Sequence, residues 1–422
     1  MLLVSEIKEN TAAVLAGLRK KNFQQAEEIT QKVIEVDKQR RETQHELDAV
    51  LANSKSISKK IGLLMKEGKK DEAEKIKQET TELKNKAKTL GDKLNTYETE
   101  LHELLVLLPN LPHESVPAGK SAEDNVTEFQ VENLPELSEG ALPHWDLIKK
   151  YDIIDFELGN KVSGAGFPFY KGKGARLQRA IISYCLDKAE EAGYVEIQAP
   201  VVINPDSGFG TGQLPDKDGQ MYHMEADNQY LIPTAEVPIT NMYRDVILKE
   251  NDLPVKHAGH TPCFRREAGS WGADVRGLNR LHQFDKVEIV QITLPEKSYE
   301  VLEEMKNHVQ GLLKSLNLPY RILRLCGGDL SFTSALTFDF EVYSAAQKRW
   351  LEVSSVSNFE TYQSNRLKLR YKSEGKTKLL HTLNGSALAL PRIVAALLEN
   401  NQTPDGIKIP EVLVPYTGFD KI

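Results

Sequence analysis

The chain has 422 residues, 40% of them hydrophobic, and a formal net charge of −7 at pH 7. This length allows a sizeable buried core and suggests two or three domains, and the acidic balance excludes a general attraction to nucleic acid, so such a contact needs a local basic patch. The three cysteines, Cys185, Cys263 and Cys326, lack the paired spacings of a zinc site. We therefore expect reduced, buried thiols and a cytoplasmic protein. The apolar run at the N-terminus is too short for a signal peptide, and we expect no membrane-spanning segment.

Residues 24–108 predict a long helical arm. They contain no proline and are rich in Glu, Lys, Gln, Leu and Ala, a composition typical of helices. Apolar residues recur at steps of three and four in two series, at positions 33–64 and 73–104, and the two series mirror each other about Gly68. The sequence therefore predicts an antiparallel helical hairpin, a coiled coil. The polar interruptions of its seam are Arg40, Thr43, Ser54 and Thr80.

The far part of this arm is locally basic. Eleven lysines and six acidic residues lie between Lys55 and Lys88. Lysines on a projecting helix can hold phosphates without reading bases, and such an arm would suit a long, shaped RNA. A solvated coiled coil or a dimerisation arm explains the same residues, so these observations leave both interpretations open.

A linker is predicted at 109–125, where proline, glycine and small polar residues separate a domain at 1–108 from one at 126–422. The second domain has short strand patterns and few helices, which favours an α+β fold with an antiparallel sheet. Predicted helices are 174–192, 299–316 and 388–400, and predicted strands are 194–199, 230–232, 263–266, 283–292, 337–343 and 350–355. Because no Walker loop or G-x-G-x-x-G motif occurs, nucleotide binding through those motifs is not expected.

The segment 261–288 concentrates groups that bind anions. Two strands, near 262–267 and 281–290, are predicted to flank a loop that contains glycines. The charged and aromatic residues concerned are Arg265, Arg266, Glu267, Arg276, Arg280, Phe284 and Glu288. Guanidinium groups bind phosphate or carboxylate through two hydrogen bonds and keep their charge, so several of them can hold a polyphosphate. Composition alone leaves a solvated hairpin with surface arginines as the alternative.

Four further stretches offer polar groups, each with a structural alternative. Residues 234–236, Thr-Ala-Glu, could bind an ammonium or hydroxyl group, or cap a helix. Residues 208–213 form a glycine-rich loop, otherwise a mobile turn. Residues 352–355, Glu-Val-Ser-Ser, could bind Mg²⁺ at a predicted strand end, or lie on a half-exposed strand. Residues 383–386 and Arg392 bring amide, hydroxyl and guanidinium groups near one helix start.

In this order, the stretches resemble the seryl-tRNA synthetase family of class II aminoacyl-tRNA synthetases, over nearly the whole chain. The segments that look like the three class motifs are 193–200, FRREAG with RGLNRLHQFDKVE, and LNGSALALPRIVAALLEN. Those that look specific to the family are TAEV, GTGQLP and EVSSVSNFETYQSNR. The long hairpin is similar to the family's arm for the variable arm of serine tRNA. The resemblance implies a cytoplasmic homodimer that uses ATP and Mg²⁺ to activate serine and charge tRNA(Ser), and it leaves open whether tRNA(Sec) is charged too.

The resemblance also implies roles for individual residues. The catalytic residues would be Arg265, Glu267 and Arg392. Serine would be bound by Thr234, Ala235, Glu236, Arg265, Glu288, Asn384 and Ser386. ATP would be bound by Arg265, Arg266, Glu267, Arg280, Phe284, Glu352, Val353, Ser354, Ser355 and Arg392, with Phe284 stacked on adenine. Glu352 and Ser355 would also bind Mg²⁺. Residues that depart from the family pattern are Arg266, often Ser; Ala273, often Arg; Leu336, often Lys; and Pro391, often Gly.

Two functions other than charging tRNA are compatible with parts of this pattern. A synthetase-like ligase that loads an amino acid on a carrier protein would lack the long arm, so the intact hairpin argues against it. A non-catalytic RNA-binding paralogue would have lost the phosphate-binding arginines. Arg265 and Arg392 are both present.

Overall fold

The structure is a computed structural model that describes residues 1–268 and 276–422. It divides into two compact units, Met1–Pro109 and Asn110–Ile422. The predicted linker, which is described throughout, contains one 3₁₀ turn, Ala122–Asp124, and no α-helix or strand. Part of the predicted anion-binding loop, with Gly269, Gly272 and Ala273, lies outside the described residues. None of the helices described is long and apolar enough to cross a membrane.

The N-terminal unit, all of which is described, is helical. Its helices are α1 (Val4–Glu9), α2 (Thr11–Lys20), α3 (Ala26–Lys66) and α4 (Lys70–Leu107). The long helices α3 and α4 pack on each other, and the turn between them contains Gly68 at a φ of +78°, a conformation that glycine adopts without strain. All positions of the two predicted apolar series are buried or half-buried, and all eleven lysines between Lys55 and Lys88 are exposed. The predicted hairpin is confirmed, whereas α1 and α2 were not predicted.

The C-terminal unit has the predicted α+β composition. Its helices are α5 (His144–Lys150), α6 (Phe156–Val162), α7 (Gly172–Glu191), α8 (Pro205–Thr211), α9 (Glu236–Asn241), α10 (Ser298–Ser315), α11 (Thr361–Leu367), α12 (Leu390–Asn400) and α13 (Val414–Thr417). Its strands are β1 (Val126–Gln130), β2 (Ile154–Asp155), β3 (Phe169–Tyr170), β4 (Val195–Glu196), β5 (Val202–Ile203), β6 (His223–Met224), β7 (Gln229–Leu231), β8 (Ile247–Lys249), β9 (Val255–Phe264), β10 (Gln283–Thr293), β11 (Tyr320–Arg324), β12 (Leu336–Ser344), β13 (Arg349–Asn358), β14 (Arg370–Ser373), β15 (Lys376–Leu379), β16 (His381–Ala389), β17 (Gln402–Thr403) and β18 (Gly406–Ile407).

The main sheet has eight strands in the order β1-β11-β12-β13-β16-β10-β9-β4. All neighbouring pairs are antiparallel except β4 with β9. On one face, Ile289 and Gly385 pair across β10 and β16 and lie close to Met305 of α10, so this face is part of the hydrophobic core. Side chains alternate along a strand, so the pair Glu288 and Ser386 faces the opposite side.

Most predicted elements are present with small changes in their ends, and three expectations were wrong. Only Val195–Glu196 of the predicted strand 194–199 pairs with the sheet. The expected mobile loop at 208–213 belongs mostly to helix α8, which ends at Gly212 with a φ of +97°. This helix forms despite its glycines because Pro205 occupies its first turn and the Asn204 side chain accepts from the Ser207 N–H at 2.9 Å. The segment 352–355 lies inside β13, not at a strand end.

Candidate active site

The floor of the candidate site is a buried ion pair on strand β10, between Lys286 and Glu288. The side chains of these two residues are 7% and 0% exposed. The Thr234 hydroxyl donates to Glu288 Oε2 at 2.9 Å, and Asn384 Nδ2 donates to Oε1 at 3.0 Å. Lys286 Nζ in turn donates to the Thr234 hydroxyl at 2.9 Å. A buried charge is tolerated only when it is paired and hydrogen-bonded, so these contacts fix the Glu288 carboxylate in one orientation.

A second carboxylate, Glu236, lies next to this pair at the start of helix α9. It is also buried, and Gln363 Nε2 donates to its Oε1 at 2.7 Å. Burial and the negative charge of Glu288 raise the pKa of Glu236 to about 7, while Lys286 and Arg265 act in the opposite direction. Two carboxylates that share a pocket with cations can receive a ligand carrying both an ammonium and a hydroxyl group.

The arginine that follows strand β9, Arg265, lies above an aromatic ring. Its guanidinium carbon is 5.3 Å from the centre of the Phe284 ring, and its backbone N–H donates to the His282 carbonyl at 2.9 Å. The side chain of Glu267 forms an ion pair with Arg280, which joins the two ends of the loop between β9 and β10. Arg280 is 44% exposed and Glu267 is 13% exposed. Two pairs thus form among the predicted ATP-binding residues of this segment, Arg265 with Phe284 and Glu267 with Arg280.

Arg266 is anchored through its backbone, whose N–H donates to the Gln220 carbonyl at 2.9 Å. Its positive charge lowers the pKa of Tyr222, although burial of that ring dominates and leaves the pKa raised. The Arg266 side chain is thus close enough to Tyr222 for its charge to act on that hydroxyl.

A second cation, Arg392, reaches the site from helix α12. Its Nε donates to the Asn279 carbonyl at 2.9 Å, and its Nη1 donates to the Glu352 carbonyl at 2.8 Å. The Glu352 carboxylate lies 3.8 Å from Nη1 and is 51% exposed. Pro391, which precedes Arg392, occupies the first turn of α12, a position that suits proline.

Four other predicted residues are buried: Ala235, Val353, Ser354 and Ser386. Ala235 is 0% exposed and Val353 is 1% exposed, and each packs in a hydrophobic cluster. The Ser354 hydroxyl is buried and donates to the Ser386 carbonyl at 2.6 Å. Ser386 itself lies across from Glu288 in the β10–β16 register.

Glu352, Ser355 and a residue not predicted from the sequence, Asp339, offer oxygen atoms to a divalent cation. Asp339 lies opposite Ser355 in the β12–β13 register and accepts a hydrogen bond from its side chain. Burial and the charge of Glu352 raise the pKa of Asp339 well above its ordinary value, and its Oδ1 is buried without a partner among the described residues. Carboxylate and hydroxyl oxygens fit Mg²⁺, which keeps waters and substrate phosphates as its other ligands. In the described part of the chain, no group of three or more acidic, His or Cys side chains could hold a metal ion by itself.

Lys286, Gln363 and Asp339 were thus missed by sequence reasoning. A signal existed for Lys286, because it lies two positions before Glu288 on a strand and therefore on the same face. Gln363 lies within the family-specific segment EVSSVSNFETYQSNR but was not singled out there, and Asp339 had no local signal. Their positions depend on the pairing of distant strands and on where helix α11 packs.

The antiparallel sheet and the buried acidic pocket beside Arg265 agree with the comparisons with known proteins, which show that this chain is a class II aminoacyl-tRNA synthetase. Residues 221–401 match the family model described as tRNA synthetase class II core domain (G, H, P, S and T), and residues 1–112 match the Seryl-tRNA synthetase N-terminal domain. A serine–tRNA ligase from Salinibacter ruber is 50% identical over 425 residues, which cover 100% of this chain and 99% of the relative. The chain belongs to the serine–tRNA ligase family.

Two solved structures of the family have the same fold. Seryl-tRNA synthetase from Pyrococcus horikoshii, complexed with ATP, is 30% identical with a TM-score of 0.93, and the match covers 100% of this chain and 99% of that one. The cytoplasmic serine–tRNA ligase from Naegleria fowleri, in complex with AMP, is 28% identical with a TM-score of 0.88 and coverage of 100% and 98%. The family resemblance is therefore confirmed. The carrier-protein alternative is not favoured, because the match includes the whole N-terminal arm.

Proposed function

We propose that this chain catalyses the ATP-dependent attachment of L-serine to tRNA(Ser). The observation that carries the proposal is the pocket in which the carboxylates of Glu236 and Glu288 lie beside the Arg265 guanidinium. A serine zwitterion has an ammonium group for one carboxylate, a hydroxyl group for the other, and a carboxylate for the guanidinium. Family membership supports the same assignment.

In the serine site, we assign the ammonium group to Glu236 and Thr234, and the hydroxyl group to Glu288 and Ser386. The serine carboxylate would contact Arg265. Alanine would leave the buried polar groups without a partner, which is the strongest form of rejection available to a binding site. Threonine carries an extra methyl group, which can be excluded only by size and is worth about 1–3 kcal/mol.

In the ATP site, we assign the phosphates to the cations at the end of the sheet. Arg265 would contact the α-phosphate and Arg392 the distal phosphates, and adenine would stack on Phe284. The remaining assigned ATP-binding residues are Arg266, Glu267, Arg280, Glu352, Val353, Ser354 and Ser355. Because Arg265 lies over the Phe284 ring, adenine requires the free face of that ring or a shift of the guanidinium.

The reaction follows from these positions in two displacement steps. An oxygen of the serine carboxylate attacks the α-phosphorus, the bond to the β-phosphate oxygen breaks, and pyrophosphate leaves. A hydroxyl of the terminal tRNA adenosine then attacks the seryl carbonyl carbon, and AMP leaves with the electrons of the acyl–phosphate bond. No protein nucleophile is required, so positioning and charge neutralisation by Arg265 and Arg392 account for the rate acceleration. Mg²⁺ held by Glu352 and Ser355, with Asp339 as a neighbour, would supply further neutralisation of the phosphate charge.

The partners follow from the same family assignment. We propose that the basic part of the arm binds tRNA(Ser), and the exposure of its lysines supports this. We further propose a cytoplasmic homodimer, in which the segment 193–200 contributes to the subunit contact. An apolar side chain of that segment, Val195, is 59% exposed in the single chain. Sedimentation analysis of the purified protein tests the dimer.

The function is tested by ATP–pyrophosphate exchange with each standard amino acid. We expect exchange with serine only, and exchange driven best by another amino acid would overturn the assignment. Arg265→Ala should abolish serine-dependent exchange, because the substituted residue contacts both reacting groups. Arg370→Ala, an arginine on β14 that donates to the Lys368 carbonyl, is the matched control and should retain it.

A further inference from the structure

A fully buried acid–histidine pair lies behind the candidate ATP site. Glu399 of α12 and His144 of α5 are both 0% exposed, and the ring Nδ1 lies 2.7 Å from Glu399 Oε1. The His144 backbone N–H and the Ser344 hydroxyl also donate to the Glu399 carboxylate. Burial disfavours the Glu399 charge, but the hydrogen bonds from His144 and Ser344 outweigh it and hold the pKa of this carboxyl below its ordinary value.

The other ring nitrogen of His144, Nε2, contacts the turn at 277–279, which connects the predicted anion-binding loop to strand β10. The Leu278 backbone N–H donates to His144 Nε2 at 2.8 Å, so Nε2 is the acceptor and the ring proton lies on Nδ1, facing Glu399. Gly277 has a φ of +65°, and a Cβ at this position would collide with the His144 ring. The turn therefore rests directly on the imidazole.

Gln347 makes a second connection between the same carboxylate and the same turn. Its Nε2 donates to Glu399 Oε1 at 3.1 Å, and its Oε1 accepts from Asn279 Nδ2 at 3.0 Å. The Asn279 backbone carbonyl is the acceptor for Arg392 Nε at 2.9 Å. An unbroken series of hydrogen bonds thus runs from Glu399 through Gln347 and Asn279 to the guanidinium of Arg392.

The two ends of this series lie on one helix. Glu399 and Arg392 are seven residues apart on α12, close to two helical turns, and so lie on the same side of it. The hydrogen bonds pass through the turn at 277–279. They therefore fix both the guanidinium of Arg392 and the end of the loop that carries Arg276 and Arg280.

We propose that His144, Gln347 and Asn279 are positioning residues for the distal phosphates of ATP, which orient Arg392 through the Asn279 carbonyl. This inference rests on the proposed function for the role of Arg392. In this proposal His144 and Gln347 contact no atom of the substrates. Their effect is confined to the β- and γ-phosphates, because the groups assigned to the α-phosphate and serine have other contacts: Arg265 lies over the Phe284 ring, and Glu288 and Glu236 accept hydrogen bonds from Thr234 and Gln363.

Gln347→Ala is the first test, since Gln347 lies in the four-residue connection between β12 and β13 and is only half-buried. We expect the affinities for ATP and for pyrophosphate, measured by calorimetry, to fall about three- to tenfold, the range for the removal of one hydrogen bond. The affinities for AMP and for serine should stay at the wild-type values, because neither ligand has distal phosphates. Lys348→Asn, in the same connection at a φ of +53°, is the matched control and should change none of them.

A double-variant cycle separates positioning through Arg392 from general loosening of the fold. If Gln347 acts through Arg392, then Gln347→Ala should cause no further loss of pyrophosphate affinity in an Arg392→Ala background. Gln347→Leu retains the side-chain volume and should behave as Gln347→Ala does, which removes a cavity as the explanation. Additive losses, an equal fall in AMP affinity, or unchanged ATP affinity in Gln347→Ala would each overturn the proposal.

This experiment also distinguishes failure of the inference from failure of the proposed function. If the unsubstituted protein shows no exchange with serine, the proposed function fails, and the comparison of pyrophosphate with AMP still tests the link from Gln347 to Arg392. If exchange with serine is normal and the Gln347 variants bind ATP as the wild type does, only the inference fails.

Discussion

Glu236 is a carboxylate whose charge is set by its surroundings. Burial and Glu288 raise its pKa from 4.5 to about 7, so near neutral pH a large fraction of the ligand-free protein carries it protonated. A carboxyl group whose pKa is raised in the folded state stabilises the fold fully below its unfolded pKa. This stabilisation is lost as the pH rises through the folded pKa. As the pH rises through about 7, the folded protein therefore loses this stabilisation, and the pocket with its ionised Glu236 attracts a cation more strongly.

The first prediction concerns the pH dependence of serine binding. An ammonium ligand stabilises the ionised carboxylate, so the apparent affinity for serine should fall about tenfold between about pH 8 and about pH 6. Titration calorimetry in buffers of different ionisation enthalpy should show proton release on binding near neutral pH. Glu236→Gln should bind serine weakly and lose this pH dependence. A flat profile in the wild type would contradict the assignment of Glu236 to the ammonium group.

At the residue scale, the sequence identifies charged residues that lie within recognisable motifs. Arg265, Glu288 and Arg392 could be singled out in this way. Gln363 could not, because an amide is unremarkable in sequence and becomes significant only when it is buried against Glu236. His144 was missed for the same reason, since Glu399 lies more than two hundred residues away along the chain.

Helix α8 shows how much the position of a glycine matters within an element. Gly212 ends the helix with a φ of +97°, and a Cβ there would collide with the Thr333 side chain. Gly311 is an exposed position within α10 where a Cβ would meet nothing within 4 Å. The same substitution should therefore have opposite effects at the two positions.

We predict that Gly212→Ala destabilises the C-terminal unit by about 1–3 kcal/mol, because it combines backbone strain with a steric clash. Gly311→Ala, the matched control, should stabilise it by about 0.5–1 kcal/mol through helix propensity. Urea unfolding followed by tryptophan fluorescence measures both, since Trp145 and Trp350 belong to this unit. Equal shifts of the same sign would show that the local environment of Gly212 is not as described.

The arm allows a prediction about charge alone. Lys59, Lys60, Lys75 and Lys84 are exposed on α3 and α4. Replacing all four by glutamine should raise the KM for tRNA(Ser) about tenfold or more and make the dependence of log KM on log salt shallower by about 0.9 for each phosphate that the arm no longer neutralises. Replacement by arginine keeps the charge and should change little. If the glutamine variant charges tRNA normally at all salt concentrations, these lysines do not bind RNA.

Elements with a long period were predictable, and elements defined by their partners were not. The arm helices α3 and α4 repeat the same spacing over many turns, so their seam and even their turn could be placed from the sequence. Strands such as β5, β6 and β8 have two or three residues each, and they exist only because another strand lies beside them. No local pattern of that length distinguishes a strand from a loop.

At the scale of the whole molecule, the two compact units separate two tasks. We propose that the N-terminal unit selects the tRNA and that the C-terminal unit performs both chemical steps. The residues assigned to serine and ATP all lie within Asn110–Ile422, and none lies in the arm. The first chemical step therefore requires nothing from the N-terminal unit.

Deleting residues 38–96 and joining the ends by a short Gly-Ser turn should leave serine-dependent pyrophosphate exchange nearly unchanged. Charging of tRNA(Ser) should fall by about a hundredfold or more, because the shortened protein lacks the eleven lysines between Lys55 and Lys88 that are proposed to bind the tRNA phosphates. Exchange measured on the same preparation is the internal control for folding. Surviving tRNA charging would show that the arm is structural.

Strand β1 has a consequence for solubility. It forms one edge of the main sheet, is exposed along its length, and presents Val126 and Phe129 to solvent, features that allow a sheet to recruit strands from other molecules. A bulge between Thr127 and Phe129 interrupts its regular pairing, and the Glu128 carboxylate is held 3.0 Å from Arg324. This irregular, charged edge protects the sheet from aggregation through strand addition. For this property the substitution to avoid is Glu128→Val, because it would remove the charge from this exposed edge strand.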